Sequence, residues 1–347
     1  MHKIITAEEA VKLTNQIFVD VRSESEFAEN TYPGAVNLPV LNDQERVQVG
    51  TIYHQVSPQA AKIKALEIIA PKLPGLVAQI AEWSQKGEVV LFCWRGGMRS
   101  QALATVCDLM GIPVRRLAGG LKGYRRFVNA YLNNLELQAE IVVLHGLTGV
   151  GKTDMLKELS KLGVATIDLE GLAHNRGSVF GDIGMPPPPS QKSFEAALVQ
   201  HLIRFAPERF IVVECESRRI GRNVIPERFF AAMQAGRHIL LYDTLENRIN
   251  RLVKVYVDDD QDNLHELQAA VTALEKRLGK KKVAELNELI RSRDFTTVVK
   301  VLLLEYYDPL YNYPSGPSPE YELCVDAGNI QAGAAQINEY LNSVASD

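Results

Sequence analysis

Two short stretches of this chain carry residue types that could do covalent chemistry. Leu91 to Ser100 reads LFCWRGGMRS, an apolar strand-like run that ends at Cys93 and is followed by Arg95, Gly96, Gly97 and Arg99. Sulfur attacks as thiolate, and cationic side chains and backbone N–H groups favour that form. Arg95 and Arg99 supply charge, while Gly96 and Gly97 let the backbone curl so that its N–H groups converge. A helix opening near Ser100 would add the positive potential of its N-terminus. The spacing Cys93-x5-Arg99 therefore describes a cradle for an anion that meets a sulfur nucleophile. Cys107, Cys215 and Cys324 lack such surroundings and read as structural thiols.

The second stretch, HGLTGVGKTD, contains Gly146, Leu147, Thr148, Gly149, Val150, Gly151, Lys152 and Thr153, a full match to G-x-x-x-x-G-K-[ST]. It follows an apolar run, Ile141 to Leu144, and precedes a helix-like segment, Met155 to Leu162, which is the context the motif requires. Backbone N–H groups would wrap phosphate oxygens, Lys152 would balance charge, and Thr153 would offer a hydroxyl to Mg²⁺. Glu214 or Glu216, closing IVVECE, would be the acidic residue of a Walker-B-like strand, or else a carboxylate capping the next turn. Arg218, Arg219 and Arg222 follow and suit either a polyanion or a solvated face. Lys276, Arg277, Lys280, Lys281 and Lys282 form the best basic run for an RNA backbone, with an exposed helix as the alternative. His145, His174 and His201 have no metal-like spacing and read as structural.

These residues need elements to hold them. Ile17 to Arg22 and Val89 to Trp94 are β-branched and apolar, as buried parallel strands are, and the helical segment between them is interrupted by Pro71 and Pro74. Val114 to Tyr124, VRRLAGGLKGY, is expected to supply another short strand and a glycine turn, and later strands are expected in Val164 to Leu169, Arg209 to Cys215 and His238 to Thr244. Strands alternating with helices predict an α/β fold with functional loops at the strands' C-terminal ends. The expected organisation is an α/β domain over residues 1–127, a helical linker over 128–139, and a second α/β domain over 140–347 with a helical portion at about 245–304. The tail DPLYNYPSGPSPEYELCVDAG reads as aromatic and turn-rich, and PPPP at Pro186 to Pro189 as a stiff exposed loop.

With 347 residues, 46% hydrophobic and 23% charged, the composition is that of a globular protein of roughly two domains. The net charge of −4 excludes a polycation that coats nucleic acid. Four scattered cysteines argue against structural zinc and a disulfide framework. No apolar run approaches the ~20 residues of a membrane span, and the N-terminus lacks a secretory pattern, so a soluble cytoplasmic protein is expected.

DVRSESEF (Asp20 to Phe27) and YPGAVNLP (Tyr32 to Pro39), with the cysteine loop, resemble the rhodanese family of sulfurtransferases. The Cys-x5-Arg loop is one residue longer than in many simple sulfur carriers and equals the phosphatase length, so it should hold a bulkier tetrahedral anion. Taken with the phosphate loop, the chain resembles the tRNA 2-selenouridine synthase family. Further residues carrying that resemblance are Tyr32 to Gln55, RGSVFG from Arg176, SQKSFE from Ser190, VVECESRRIG from Val212 and YDPLY from Tyr307.

The resemblance implies a two-step change at the wobble uridine of certain tRNAs. Geranyl diphosphate alkylates the sulfur of 2-thiouridine, and selenium from selenophosphate then replaces the geranylthio group. Cys93 would accept or deliver selenium while Arg95, Gly96, Gly97 and Arg99 hold the oxyanion. The phosphate loop would bind geranyl diphosphate, or a nucleotide, with Arg176, Glu214, Glu216, Arg218 and Arg219 in support. Phe180, Val179 and Met185 are candidates for a prenyl groove, or for core packing. The implied partners are tRNA, the two small substrates and a selenophosphate-producing enzyme, with no tightly bound cofactor and no membrane. Two rivals remain: a sulfurtransferase or Cys93-x5-Arg99-Ser100 phosphatase regulated through the phosphate loop, and a nucleotide-switched binding module.

Overall fold

The computed structural model describes residues 2–256 and 263–345. Its contacts divide the chain into two units, residues 1–134 with 192–200, and residues 135–191 with 201–347.

The first unit holds a parallel sheet of strands β1 (Lys3–Ile5), β2 (Gln16–Asp20), β3 (Val36–Asn37), β4 (Glu88–Phe92) and β5 (Val114–Leu117), in the order β1-β5-β4-β2-β3. Val89, Val90, Leu91 and Phe92 are at most 1% exposed, so β4 is covered on both faces, as its unbroken apolar run requires. Pro71 and Pro74 divide the long helical segment into Pro58–Ile69, a 3₁₀ turn at Ala70–Lys72, and Leu73–Ser84. The expected linker at 128–139 begins inside a helix, because Gly120–Asn133 runs without a break.

The second unit is built on β6 (Glu140–His145), β7 (Thr166–Ile167), β8 (Phe210–Glu214), then, beyond a small antiparallel pair of β9 (Arg219–Ile220) and β10 (Asn223–Val224), β11 (Arg237–Tyr242) and β12 (Leu323–Asp326). The main sheet is parallel, in the order β12-β11-β6-β8-β7. The chain leaves β6 toward β7 and β8 on one side, then crosses to β11 on the other. β6 thus sits at the switch point of the sheet, where a crevice opens at the strands' C-terminal ends. β12 lies in the tail read as turn-rich; the tail's edge strand is too short to show an apolar period.

The helical portion comprises Leu245–Tyr256, Leu264–Ala273, Glu275–Leu278, Lys280–Arg291 and Phe295–Leu302, then a π-helical turn at Leu303–Tyr307 and a last helix at Asp308–Tyr311. Val271, Leu286, Ile290 and Leu303 anchor a core of its own. Among the described residues, no helix is long and apolar enough to cross a membrane.

Candidate functional site

Cys93 is the residue after β4, 4% exposed, and its loop is pinned from below by a second glycine turn. Leu121 N–H donates to the Cys93 carbonyl at 2.9 Å and Lys122 N–H to that of Trp94 at 2.8 Å. Arg116 Nη1 reaches the Gly96 carbonyl at 3.0 Å. These contacts need Gly120: its φ is +57°, and a Cβ there would overlap Cys93 O and Gly96 N. Ser100 Oγ lies 3.4 Å from Cys93 Sγ and 3.3 Å from the Gly97 carbonyl. Gly97 caps helix Met98–Leu109, so sulfur and hydroxyl sit together at the positive end of that helix.

Arg99 arrives at this loop with a partner the sequence reading did not supply. Its guanidinium forks onto Glu26, Nη1 to Oε2 at 2.6 Å and Nη2 to Oε1 at 3.2 Å, from 73 residues away. Burial opposes ionisation of Glu26, but the hydrogen bond and charge of Arg99 outweigh it and hold the carboxyl below its ordinary range. Glu26 is held in turn through the buried pair of Arg22 and Asp20, which fixes the chain entering helix Glu24–Glu29. Arg95 is exposed at the loop's rim. Arg99 thus presents a preset guanidinium beside Cys93, and the loop can receive a tetrahedral anion against sulfur.

In the second unit, Gly146 to Thr153 turn from β6 into helix Lys152–Lys161. A Cβ on Gly146 (φ +143°) would strike the Leu241 carbonyl of β11, so the loop starts hard against the sheet. Lys152 Nζ donates to the Gly146 carbonyl at 3.2 Å, across the loop. Two arginines of helix Leu245–Tyr256, unforeseen from sequence, hold the loop's outer carbonyls. Arg248 donates to Thr148 O at 2.9 Å and forks onto Asp308 at 3.0 and 2.5 Å. Arg251 donates to Gly149 O at 2.6 Å and to Asp243 at 3.0 Å. Asp308 belongs to YDPLY, so that segment acts by bracing the phosphate loop.

A cavity of about 440 Å³ opens over the loop, walled by Lys152, Thr153, Glu170, Arg176, Glu216 and Tyr311 among others. The two acids left open by the sequence separate here. Glu214 is fully buried, accepts Glu170 N–H at 2.7 Å, and leaves Oε2 without a partner. Glu216 lines the cavity with its carboxyl hydrogen-bonded to that of Glu170. Burial first, then neighbouring acids, push Glu214 and Glu216 well above the ordinary carboxylate range. Thr153 Oγ1 is 3.5 Å from Glu170 Oε2. Among the described residues no group of three or more His, Cys, Asp or Glu could hold a metal ion.

Arg176 lines the cavity with its guanidinium 5.5 Å from the Tyr256 ring, while Arg218, Arg219 and Arg222 are exposed. Lys282 pairs with Glu305 at 3.2 Å, and Lys276, Arg277, Lys280 and Lys281 are exposed on their helices. His145 bonds to His238 at 2.7 Å and is pushed down to about 4 by burial, a core role.

A second, wholly different pocket adjoins the first. Its volume is about 60 Å³, and Phe180, Leu267, Val299, Leu302, Leu303 and Tyr307 line it. Thr148, Ser178, Leu252 and Tyr256 border both spaces, so the apolar pocket adjoins the cavity over the phosphate loop. Of the three proposed groove residues, Phe180 lines this pocket. Val179 is 46% exposed, and Met185 is half-buried outside the pocket wall. The other walls come from helices whose inward faces only packing reveals.

The chain matches the family model of the tRNA 2-selenouridine synthase AAA domain over residues 139–343, and that of the rhodanese-like domain over residues 6–127. It is 31% identical to the tRNA 2-selenouridine synthase of Shewanella oneidensis over 95% of this chain and 92% of that protein. It is 32% identical to the Shewanella sediminis protein of the same name, over 89% of this chain and 90% of that one. A crystallised N-terminal domain from Clostridium difficile 630 is 38% identical, covering 36% of this chain and 98% of its own, at a TM-score of 0.36. A thiol loop on one sheet, a phosphate loop on another, and relatives that match both along nearly the whole chain place it in the tRNA 2-selenouridine synthase family.

Proposed function

We propose that this chain is a transferase that converts 2-thiouridine at the tRNA wobble position to 2-selenouridine in two steps, at two sites. The first step is alkylation of the sulfur by geranyl diphosphate over the phosphate loop. The second is replacement of the geranylthio group by selenium from selenophosphate at the Cys93 loop. The observation that carries this reading is the apolar pocket that shares Thr148, Ser178, Leu252 and Tyr256 with the cavity over the phosphate loop. A nucleotide would place a polar ribose there, whereas an apolar tail gains about 25 cal/mol for each Å² it buries. With Lys152 and the loop amides on the diphosphate, the tail leads past Thr148 and Leu252 toward Phe180.

The order of steps follows from leaving groups. A thiocarbonyl sulfur departs poorly, and once alkylated it departs as a thiol. Cys93, with Ser100 and the Arg99 guanidinium beside it, then handles the selenium, and the loop holds the oxyanion that carries it. Selenophosphate would come from a separate enzyme, and both steps would take place in the cytoplasm. The test is nucleoside mass spectrometry after incubation of 2-thiouridine tRNA with geranyl diphosphate. Lys152→Ala should form no S-geranyl-2-thiouridine, while still selenating tRNA that is already geranylated. Undiminished geranylation by that variant would refute the assignment of the first step.

A further inference from the structure

Alkylating 2-thiouridine on sulfur is not complete when the S–C bond forms. The free base carries a proton on N3 beside the C2 thiocarbonyl. As sulfur attacks C1 of the prenyl group, the S–C1 bond forms and the C1–O bond breaks, its electron pair leaving with the diphosphate. The product is neutral only if the N3 proton leaves as the ring electrons reorganise to C2=N3. The cavity must therefore contain a proton acceptor as well as cations for the diphosphate.

Lys152, Arg176 and Arg251 are donors, suited to the diphosphate. Asp154 is directed at Lys157, 3.8 Å away, and Arg251, 3.9 Å away. Cys215 Sγ is tied to the Tyr313 hydroxyl at 3.2 Å, and Glu170 faces the Thr153 hydroxyl. Glu216 lines the same cavity, forms no ion pair among the described residues, and has the Glu170 carboxyl as its partner. Beside it stand Tyr311, 42% exposed, and Tyr313, their rings 9° from parallel at 6.2 Å. Exposed aromatic faces of this kind are where proteins stack an unpaired nucleobase.

We propose that Glu216, in its hydrogen-bonded pair with Glu170, is the base that takes the N3 proton of the target uridine during sulfur alkylation, with the uracil ring stacked on Tyr311. The inference rests on the reading of this cavity as the alkylation site. Two carboxyls in contact share one proton, and when that proton lies on Glu170 the anionic oxygen that can accept another is on Glu216. Burial and then the Glu170 carboxyl raise the proton affinity of Glu216, the direction a proton acceptor needs.

The test uses the full chain, 2-thiouridine tRNA and geranyl diphosphate under single-turnover conditions. Glu216→Gln, which keeps size and polarity, should slow formation of S-geranyl-2-thiouridine by about 10²- to 10⁴-fold. Inhibition by inorganic pyrophosphate and selenation of pre-geranylated tRNA should be unchanged, and Glu216→Asp should restore part of the rate. Tyr311→Ala should raise KM for tRNA more than it lowers kcat, and Tyr311→Phe, which keeps the ring, should raise it less. Geranylation by Glu216→Gln at the wild-type rate would overturn the proposal. A slow variant that has equally lost pyrophosphate inhibition would also overturn it, showing a structural role instead. A wild-type chain that forms no S-geranyl product would refute the alkylation reading and the base with it.

Discussion

Replacing Gly120 by alanine tests whether the Cys93 loop is held from below as described. The new Cβ has to occupy space already filled by Cys93 O and Gly96 N, with Arg95 C only 3.0 Å away, and all three are backbone atoms. An L side chain at φ +57° costs about 1–2 kcal/mol before any overlap is relieved. Relief requires the loop to lift, which breaks the bonds from Leu121 N–H to Cys93 O and from Lys122 N–H to Trp94 O. At about 0.5–1.5 kcal/mol each, the total is about 2–5 kcal/mol. Gly50→Ala is the control: it lies inside helix Asp43–Gln55 with nothing within 4 Å of its Cβ, and should gain about 0.5–1 kcal/mol. The two tryptophans, Trp83 and Trp94, both lie in the first unit, so fluorescence during urea unfolding reports on that unit. Gly120→Ala should unfold at lower urea and lose selenation of pre-geranylated tRNA, while geranylation persists. Equal stability of the two alanine variants, with selenation intact, would refute the pinned-loop argument.

Glu26→Gln removes the partner of Arg99 and should cost the first unit about 1.5–3 kcal/mol near neutral pH. Because the Glu26 pKa is lowered in the fold, that stabilisation holds above the ordinary carboxylate range and fades as pH falls through the lowered value, so urea midpoints of variant and wild type should converge in acid. Val299→Phe narrows the apolar pocket and should raise KM for geranyl diphosphate about tenfold or more, with inhibition by inorganic pyrophosphate unchanged, as steady-state kinetics would show. Glu214 has a raised pKa, so the folded chain holds a proton that the unfolded chain releases, and stability falls as pH rises above the ordinary carboxylate range. The melting temperature of Glu214→Gln relative to wild type should therefore be more favourable at about pH 8 than at about pH 5.

What could be read in the sequence was what is local in it. The phosphate loop is eight consecutive residues between a strand and a helix, and the structure keeps it in that context. The Cys93 loop was legible for the same reason, down to the helix that follows it. Partners brought by folding were not. Glu26 meets Arg99 across 73 residues, and Asp308 meets Arg248 across 60, and neither spacing has a period that a sequence could show. The apolar pocket is the sharpest case. Its walls are ordinary core residues on several short helices, and only their packing beside Thr148 and Leu252 distinguishes them from other buried side chains. Val179 and Met185 lie near the proline loop in sequence as Phe180 does, but the turn through residues 178–185 directs them elsewhere.

Under the proposal, two sites perform two successive steps. Its most direct test is Cys93→Ala, incubated with 2-thiouridine tRNA, geranyl diphosphate and selenophosphate, and read by nucleoside mass spectrometry. S-geranyl-2-thiouridine should accumulate at the wild-type rate with no 2-selenouridine formed. Formation of 2-selenouridine by that variant, or loss of the geranylated nucleoside along with it, would contradict the division of labour.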